Sequence, residues 1–261
     1  MNAVQRYICG RLASVLPVLF GVSLLAFGLG QLSPGDPAEI MLEGTGMGMP
    51  SAEEVAALRS YLGLDQPWYA QYGLWLRRLL HGDGGMSYHL GMPVFTALLD
   101  RLPVTAALAA AALVWAVVGG IGLGLAMAYL RGTMWEQMVR GATQVMLAAP
   151  SFLTAILLIL VFGVWLHILP TNGVESAAGY VLPSLALALV TLAMTAQLLD
   201  SQLRGALSSF YARVARLRGL SEGRVLLVYA LPNAMLPVAA MLGNFFAAVL
   251  GGAIVVETVF A

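Results

Sequence analysis

The sequence predicts an all-α integral membrane protein with five transmembrane helices, and three observations carry that prediction. Only 10% of the 261 residues are charged and 60% are apolar, against roughly 25% charged in a soluble domain. Five stretches reach the roughly 20 mostly apolar residues that a bilayer crossing requires. The thirteen basic residues are all arginine, and most of them collect in the short segments between alternate stretches. A net charge of zero gives no general affinity for nucleic acid.

The first span runs from about Leu12 to Leu32, after Arg6 and Arg11. It is long for the apolar part of a secretion signal and no A-x-A cleavage site follows, so it is read as a retained helix. The second, about Val104 to Leu130, and the third, about Gly141 to Ile168, contain no Asp, Glu or Arg. Gly120 and Gly124 in the second form a G-x-x-x-G pattern that lets another helix approach closely. Pro150 in the third frees a backbone carbonyl and kinks that helix. The fourth span is about Val181 to Leu199, and the fifth is about Ala234 to Val256. Cys9, the single cysteine, reads as a small buried hydrophobe.

Orientation follows from the arginines. With the N-terminus in the cytoplasm, the inner segments 1–11, 131–140 and 200–233 hold nine arginines: 6, 11, 131, 140, 204, 213, 216, 218 and 224. The outer segment 33–103 holds four, at 59, 77, 78 and 101, against eight acidic residues. That distribution obeys the positive-inside rule. The chain thus divides into an N-terminal spanning helix (1–32), an extracytoplasmic segment (33–103) and a transmembrane core (104–261) that carries the arginine-rich loop 200–233.

The outer segment reads as structured. SPGDP (33–37) is turn chemistry, with Pro34 and Pro37 fixing φ around Gly35 and Asp36. SAEEVAALRSYL (51–62) reads as a helix capped by Ser51, with Glu54 placed for a capping box. Pro67 opens a second helical pattern, which HGDGG (81–85) ends. His81, Asp83 and His89 match no metal-ligand spacing, so no metal site is expected.

Within the spans, Thr143, Gln144, Ser151, Thr154, Gln197 and Asn244 are the mild polar groups. They line a translocation path or hydrogen-bond between helices; Gln144, Ser151, Gln197 and Asn244 are the candidates for the path. His167 sits near the outer end of the third span, as an interfacial histidine. A chain without lysine lacks the residue that a P-loop uses to reach nucleotide phosphates. No G-x-S-x-G, H-E-x-x-H or catalytic cysteine pattern occurs either, so the chain is not read as an enzyme.

The loop between the fourth and fifth spans reads RVARLRGLSEGRVLLVYALPNAMLP (213–237). Ala206, Phe210, Val214 and Leu217 fall on one stripe of a helix over 205–219. Gly219 stands where a left-handed residue stops it, and Ser221 caps a second helix carrying Val225, Leu226 and Leu227. Two short helices meeting at a glycine make an exposed knob suited to docking.

This loop resembles the cytoplasmic coupling loop of permease subunits in binding-protein-dependent ABC importers, whose signature is Glu-Ala-Ala, three residues, Gly, nine residues, Ile-x-Leu-Pro. Ala215, Gly219, Leu231 and Pro232 match it, whereas Arg213, Val214 and Tyr229 depart from it. The peptide/nickel branch reads R-T-A-R-A-K-G-L, close to RVARLRGL here, which makes Arg213 a branch trait and places Arg216 and Arg218 in the same frame. LSPGDPA (32–38), LGLDQPWYAQYGLWL (62–76), ILP (168–170), VLPSL (181–185) and LGGAIVVETVFA (250–261) are similar to dipeptide, oligopeptide and nickel permeases, in order and at family spacing.

The resemblance implies a multi-pass protein of the bacterial cytoplasmic membrane that imports nickel or metal chelates or short peptides. It implies two separate ATPase subunits that use ATP-Mg and dock on the loop through Arg213, Ala215, Arg216, Arg218, Gly219, Leu231 and Pro232. It further implies a second, different permease chain and an extracytoplasmic substrate-binding protein, with membrane lipid around the spans and no cofactor on this chain. The arginines either pair with acidic ATPase residues or only fix topology. Family members normally have six spans, so the last is expected to be absent here, either because the sequence is a fragment or because the helix is truly missing. The rival reading, a stand-alone secondary transporter or channel, calls for ionisable groups or inverted repeats within the spans, and neither is evident in the sequence.

Overall fold

A computed structural model describes residues 3–32, 35–43, 50–87, 90–171, 176–252 and 260. Ser33 and Pro34 of the predicted turn, His89, and the end of the fifth predicted span beyond Gly252 lie outside the described residues. The described chain is helical apart from one isolated β-bridge, Met86 with Pro93. It divides into two compact units, Met1–Arg101 and Leu102–Ala261.

In the first unit, α1 (Ala3–Gln31) presents apolar side chains to its surroundings along most of its length. Cys9, expected to be buried, is exposed, since no other described element covers this end of α1. The short α2 (Pro37–Glu43) opens on proline, and Asp36 Oδ1 accepts the Ala38 N–H at 3.0 Å.

Next, α3 (Ala52–Leu62) carries the predicted capping box. The Ser51 hydroxyl accepts from the Glu54 N–H at 3.3 Å, and a Glu54 carboxylate oxygen accepts the Ser51 N–H at 2.9 Å. That backbone donor, followed by the Ser51 hydroxyl, holds the Glu54 carboxyl below its usual range. A carboxylate depressed by folding stabilises above its unfolded pKa and loses that contribution as pH falls through the folded value. The start of α3 is therefore expected to fray below the ordinary Glu titration range and stay closed above it. The Ser51 amide shift followed against pH checks this.

A fourth helix, α4 (Trp68–Leu80), begins after Pro67 and stops at His81, as the sequence predicts. The His81 ring Nδ1 lies 2.7 Å from the Arg77 carbonyl oxygen, so this imidazole serves the helix end. Among the described residues no group of three or more His, Cys, Asp or Glu is placed to hold a metal ion.

The long α5 (Val94–Tyr129) leaves the first unit and supplies one wall of the second unit's core. The other walls are α8 (Val181–Ser208) and α11 (Leu231–Gly252). Ala116 and Ala128 of α5, Leu199 and Leu203 of α8, and Ala234, Val238 and Leu242 of α11 form the main buried cluster. The glycines of α5 let α8 come close. A Cβ on Gly120 would stand 2.5 Å from the Thr195 Cβ and 3.0 Å from the Leu192 carbonyl oxygen, and one on Gly124 would stand 3.0 Å from the Ala196 carbonyl oxygen. The predicted close approach is real, with the Thr195 side chain nearest Gly120 and backbone carbonyls of α8 close to both glycines.

Four of the described helices are long and apolar enough to cross a membrane: Val4–Gln31, Val94–Tyr129, Ala177–Ser208 and Glu222–Phe246. The third predicted span is different. It is α6 (Met134–Ala148) and α7 (Ser151–Leu158), bent by 110° at Pro150, with a π-helical stretch continuing α7 over Ile159–Trp165. The proline does more than kink one helix: Ala149 and Pro150 both leave helical geometry, because Pro disfavours the helical region for the residue before it. Counting the bent pair as one span gives five.

Candidate functional site

The arginine-rich loop is shorter than predicted, because α8 runs to Ser208 and absorbs Asp200 and Arg204. The single helix expected over 205–219 is two pieces. The chain breaks at Ser209, extended at φ −68° and ψ 162°, whose hydroxyl accepts the Ala212 N–H at 3.5 Å and starts α9 (Phe210–Leu217). The stripe through Ala206, Phe210, Val214 and Leu217 is therefore not one buried face. Ala212 and Ala215 are buried instead, against Val225, Leu207 and Leu220, while Phe210 is 79% and Leu217 88% exposed.

At the other end, α9 stops as the sequence predicts. Gly219 has φ +80°, and the Leu220 N–H donates to the Ala215 carbonyl at 3.3 Å. This is the glycine-centred stop in which an amide past the helix end closes a free carbonyl and a hydrophobic contact accompanies it; here Leu220 packs against the cluster of Ala212, Ala215 and Val225. Ser221 occupies the start of α10 (Glu222–Arg224), though no side-chain bond from it caps the helix. Instead of ending as a separate helix, this piece widens into a π-helical stretch, Val225–Ala230, and runs straight into α11. Pro232 has no N–H to give to the preceding turn and its ring crowds that turn, and a wider turn accommodates both. Asn233 Nδ2 donates to the Tyr229 carbonyl at 2.9 Å.

Arg216 holds the knob together from inside. Its Nε and Nη2 donate to the two Glu222 carboxylate oxygens at 2.7 and 3.1 Å, and its Nη1 donates to the Leu207 carbonyl at 2.9 Å. The hydrogen bonds it donates to Glu222 push the Arg216 pKa above its already high value. Arg213 and Arg218, by contrast, are exposed. Phe210, Tyr211, Val214, Ala215, Arg218 and Tyr229 line a mostly apolar groove of about 270 Å³. Leu231 is partly buried against the core, and Pro232 is exposed.

Beside the knob lies a feature that the sequence reading treated as loop charge. Glu136 and Arg140 of α6 and Asp200 and Arg204 of α8 close into a ring. Arg140 Nη2 lies 2.9 Å from Glu136 Oε1 and 2.8 Å from Asp200 Oδ2. Arg204 Nη2 lies 2.8 Å from Glu136 Oε1 and 3.0 Å from Asp200 Oδ2. Each guanidinium thus touches both carboxylates. Glu136 Oε2 accepts the Gly132 N–H at 2.7 Å. Asp200 is 1% exposed, and its second oxygen accepts no hydrogen bond from the described residues. The available signal was spacing: each helix carries an acid four residues before an arginine, the favourable helical arrangement.

The four candidate path residues are not gathered into one pocket by the described contacts. Gln197 Nε2 donates to Thr143 Oγ1 at 3.2 Å, linking α8 to α6. Gln144, Ser151 and Asn244 are exposed.

Comparison with known proteins assigns the family. Residues 120–261 match the binding-protein-dependent transport system inner membrane component, and residues 4–109 match the N-terminal part of such membrane components. A Brucella suis biovar 1 protein named as a peptide transport system permease is 38% identical over 259 residues, covering 96% of this chain and 81% of its own. The glutathione transport system permease protein GsiC of Escherichia coli K12 is 37% identical over 254 residues, covering 97% and 82%. A solved structure of an amino acid ABC transporter with histidines matches at a TM-score of 0.49 and 19% identity, over 63% of this chain and 72% of that one. With its spanning helices, the protein is a multi-pass component of the inner membrane. The chain belongs to the binding-protein-dependent transport components, as an ABC importer permease of the peptide/nickel family.

Proposed function

We propose that this permease forms part of the path for short peptides or peptide-like molecules, and that the knob built from residues 209–232 docks a separate ATPase subunit. The carrying observation is the knob itself: a preorganised, internally clamped element whose large apolar side chains Phe210 and Leu217 and cations Arg213 and Arg218 are left exposed. A backbone element held in shape before binding loses little of its own entropy on docking. Arg216 is committed to Glu222, so Arg213 and Arg218 are the arginines that meet acidic groups of the partner.

In this reading the N-terminus and the knob face the cytoplasm, which the arginine distribution supports. Two ATPase subunits supply ATP-Mg hydrolysis, a second and different permease chain completes the path, and an extracytoplasmic binding protein delivers substrate. Gln144, Ser151, Gln197 and Asn244 remain the candidate path residues. The names of the relatives favour peptides and glutathione; nickel or metal chelates are the other substrate class of the branch.

Gly219 tests the docking. Open space surrounds its Cβ position, but its φ of +80° excludes a β-branched residue without strain. Gly219→Val is expected to displace Leu220, leave membrane insertion intact and abolish co-purification with the ATPase subunits. Gly219→Asn, which tolerates the left-handed region, is expected to retain them. Equal retention by the valine variant would overturn the assignment. Competition between labelled dipeptide, glutathione and nickel–histidine uptake in the assembled complex distinguishes the substrate classes.

A further inference from the structure

We infer that α4 is embedded in the bilayer interface, in the leaflet that holds the C-terminal half of α1, and that its partner there is phospholipid. The inference starts from depth. No charged residue lies between Arg11 and Asp36, and Arg11 to Gln31 measures about 30 Å at 1.5 Å per residue, the thickness of the hydrocarbon layer. Moving α1 either way would bury Arg11 or draw apolar turns out of lipid, so Gln31 marks one boundary.

The contacts of α4 fall on α1 below that boundary. The Tyr72 and Ser23 hydroxyls share a hydrogen bond of 2.8 Å. The Phe27 ring centre lies 5.5 Å from that of Tyr72 and 5.9 Å from that of Trp75, and Phe20 lies 6.2 Å from Tyr72. Phe27 is about 6 Å and Ser23 about 12 Å below Gln31. At about 20 Å, α4 is too short to cross, and it lies against a helix whose depth is fixed.

Its chemistry fits that position. Polar groups within hydrocarbon must be satisfied internally, and here they are. Tyr72 is bonded to Ser23. Gln71 Nε2 donates to the Leu64 and Gln66 carbonyls at 2.9 and 2.7 Å, and Gln71 Oε1 accepts from Gln31 Nε2 at 2.8 Å. The side chains that α1 does not cover include Trp68, Tyr69 and Leu80, which are 63%, 64% and 78% exposed. Tryptophan and tyrosine favour the headgroup level. Arg77 and Arg78 in the last turn have stems long enough to stay apolar while the guanidinium reaches lipid phosphate. In an aqueous segment the same side chains would be an exposed apolar face; beside the lipid-facing surface of α1 they continue it.

The test uses the full chain in nanodiscs of mixed zwitterionic and anionic phospholipid, with Cys9→Ser removing the native thiol. Spin labels are placed singly at Tyr69→Cys and Leu80→Cys, with Val18→Cys on α1 as the lipid reference and Glu53→Cys on α3 as the water reference. Collisions with oxygen report lipid, and collisions with chromium oxalate report water. Positions 69 and 80 are expected to follow position 18, at a depth of about 5–10 Å below the phosphates. If chromium oxalate dominates there, as at position 53, α4 stands in water and the inference fails. If neither agent reaches them, a second copy of the chain covers this face and the inference fails equally.

Discussion

Replacing Arg140 and Arg204 together by alanine is expected to cost about 3 kcal/mol of stability, while either replacement alone costs under about 1 kcal/mol. The asymmetry comes from the ring geometry. Each guanidinium touches both carboxylates, so one arginine keeps Asp200 paired after the other is gone. Losing both leaves a carboxylate that is 1% exposed without any countercharge, and an unpaired buried charge is the expensive outcome. The estimate sits at the low end of that range because the arginine side chains are 34% and 43% exposed and water screens the ring from that side. Thermal midpoints in detergent check it, at roughly 2–4 °C per kcal/mol for a chain of this size. Two single losses that simply add to the double would show that the arginines act independently and that no ring exists.

Gly120→Leu is expected to destabilise the second unit by about 1–3 kcal/mol or more, and Gly122→Leu to change little. A leucine Cβ at 120 would meet Thr195 at 2.5 Å and the Leu192 backbone at 3.0 Å, whereas nothing lies within 4 Å of the position at 122. A side chain can rotate away, but the backbone of a packed helix cannot, so the cost falls on the separation of α5 and α8. The two variants add the same apolar volume to the same helix one half-turn apart, and only packing distinguishes them. Matching thermal midpoints for the two would mean that these helices do not touch at Gly120.

Whatever depended on local sequence was legible. Spans emerged from uncharged length, the Ser51–Glu54 box from its spacing, and the stop at Gly219 from the one residue type that accepts a positive φ without strain. What failed depended on distant partners. Asp200 and Arg204 look like the start of a loop because charge interrupts an apolar run, yet α6 neutralises them from 60 and 68 residues away, and the helix continues. Ser209 is the exception, a local signal masked by the amphipathic pattern around it: its hydroxyl competes for backbone and favours a helix start. The bend at Pro150 was foreseen in place but not in size, since proline dictates where a helix yields and the packing around it dictates how far.

The charge ring also restricts how two helices can move. The acids and arginines are spaced four apart on each of two antiparallel helices, with Arg140 beside Asp200 and Arg204 beside Glu136. Sliding α6 along α8 by one turn, about 5.4 Å, would carry each arginine past its acids and leave half the charges facing apolar neighbours. The four residues therefore act as a key that fits at one setting. A one-turn ratchet of one helix past the other therefore breaks the ring before it can re-form. Through α8, Ser209 and the knob beyond it are thereby tied to the register of α6 as well.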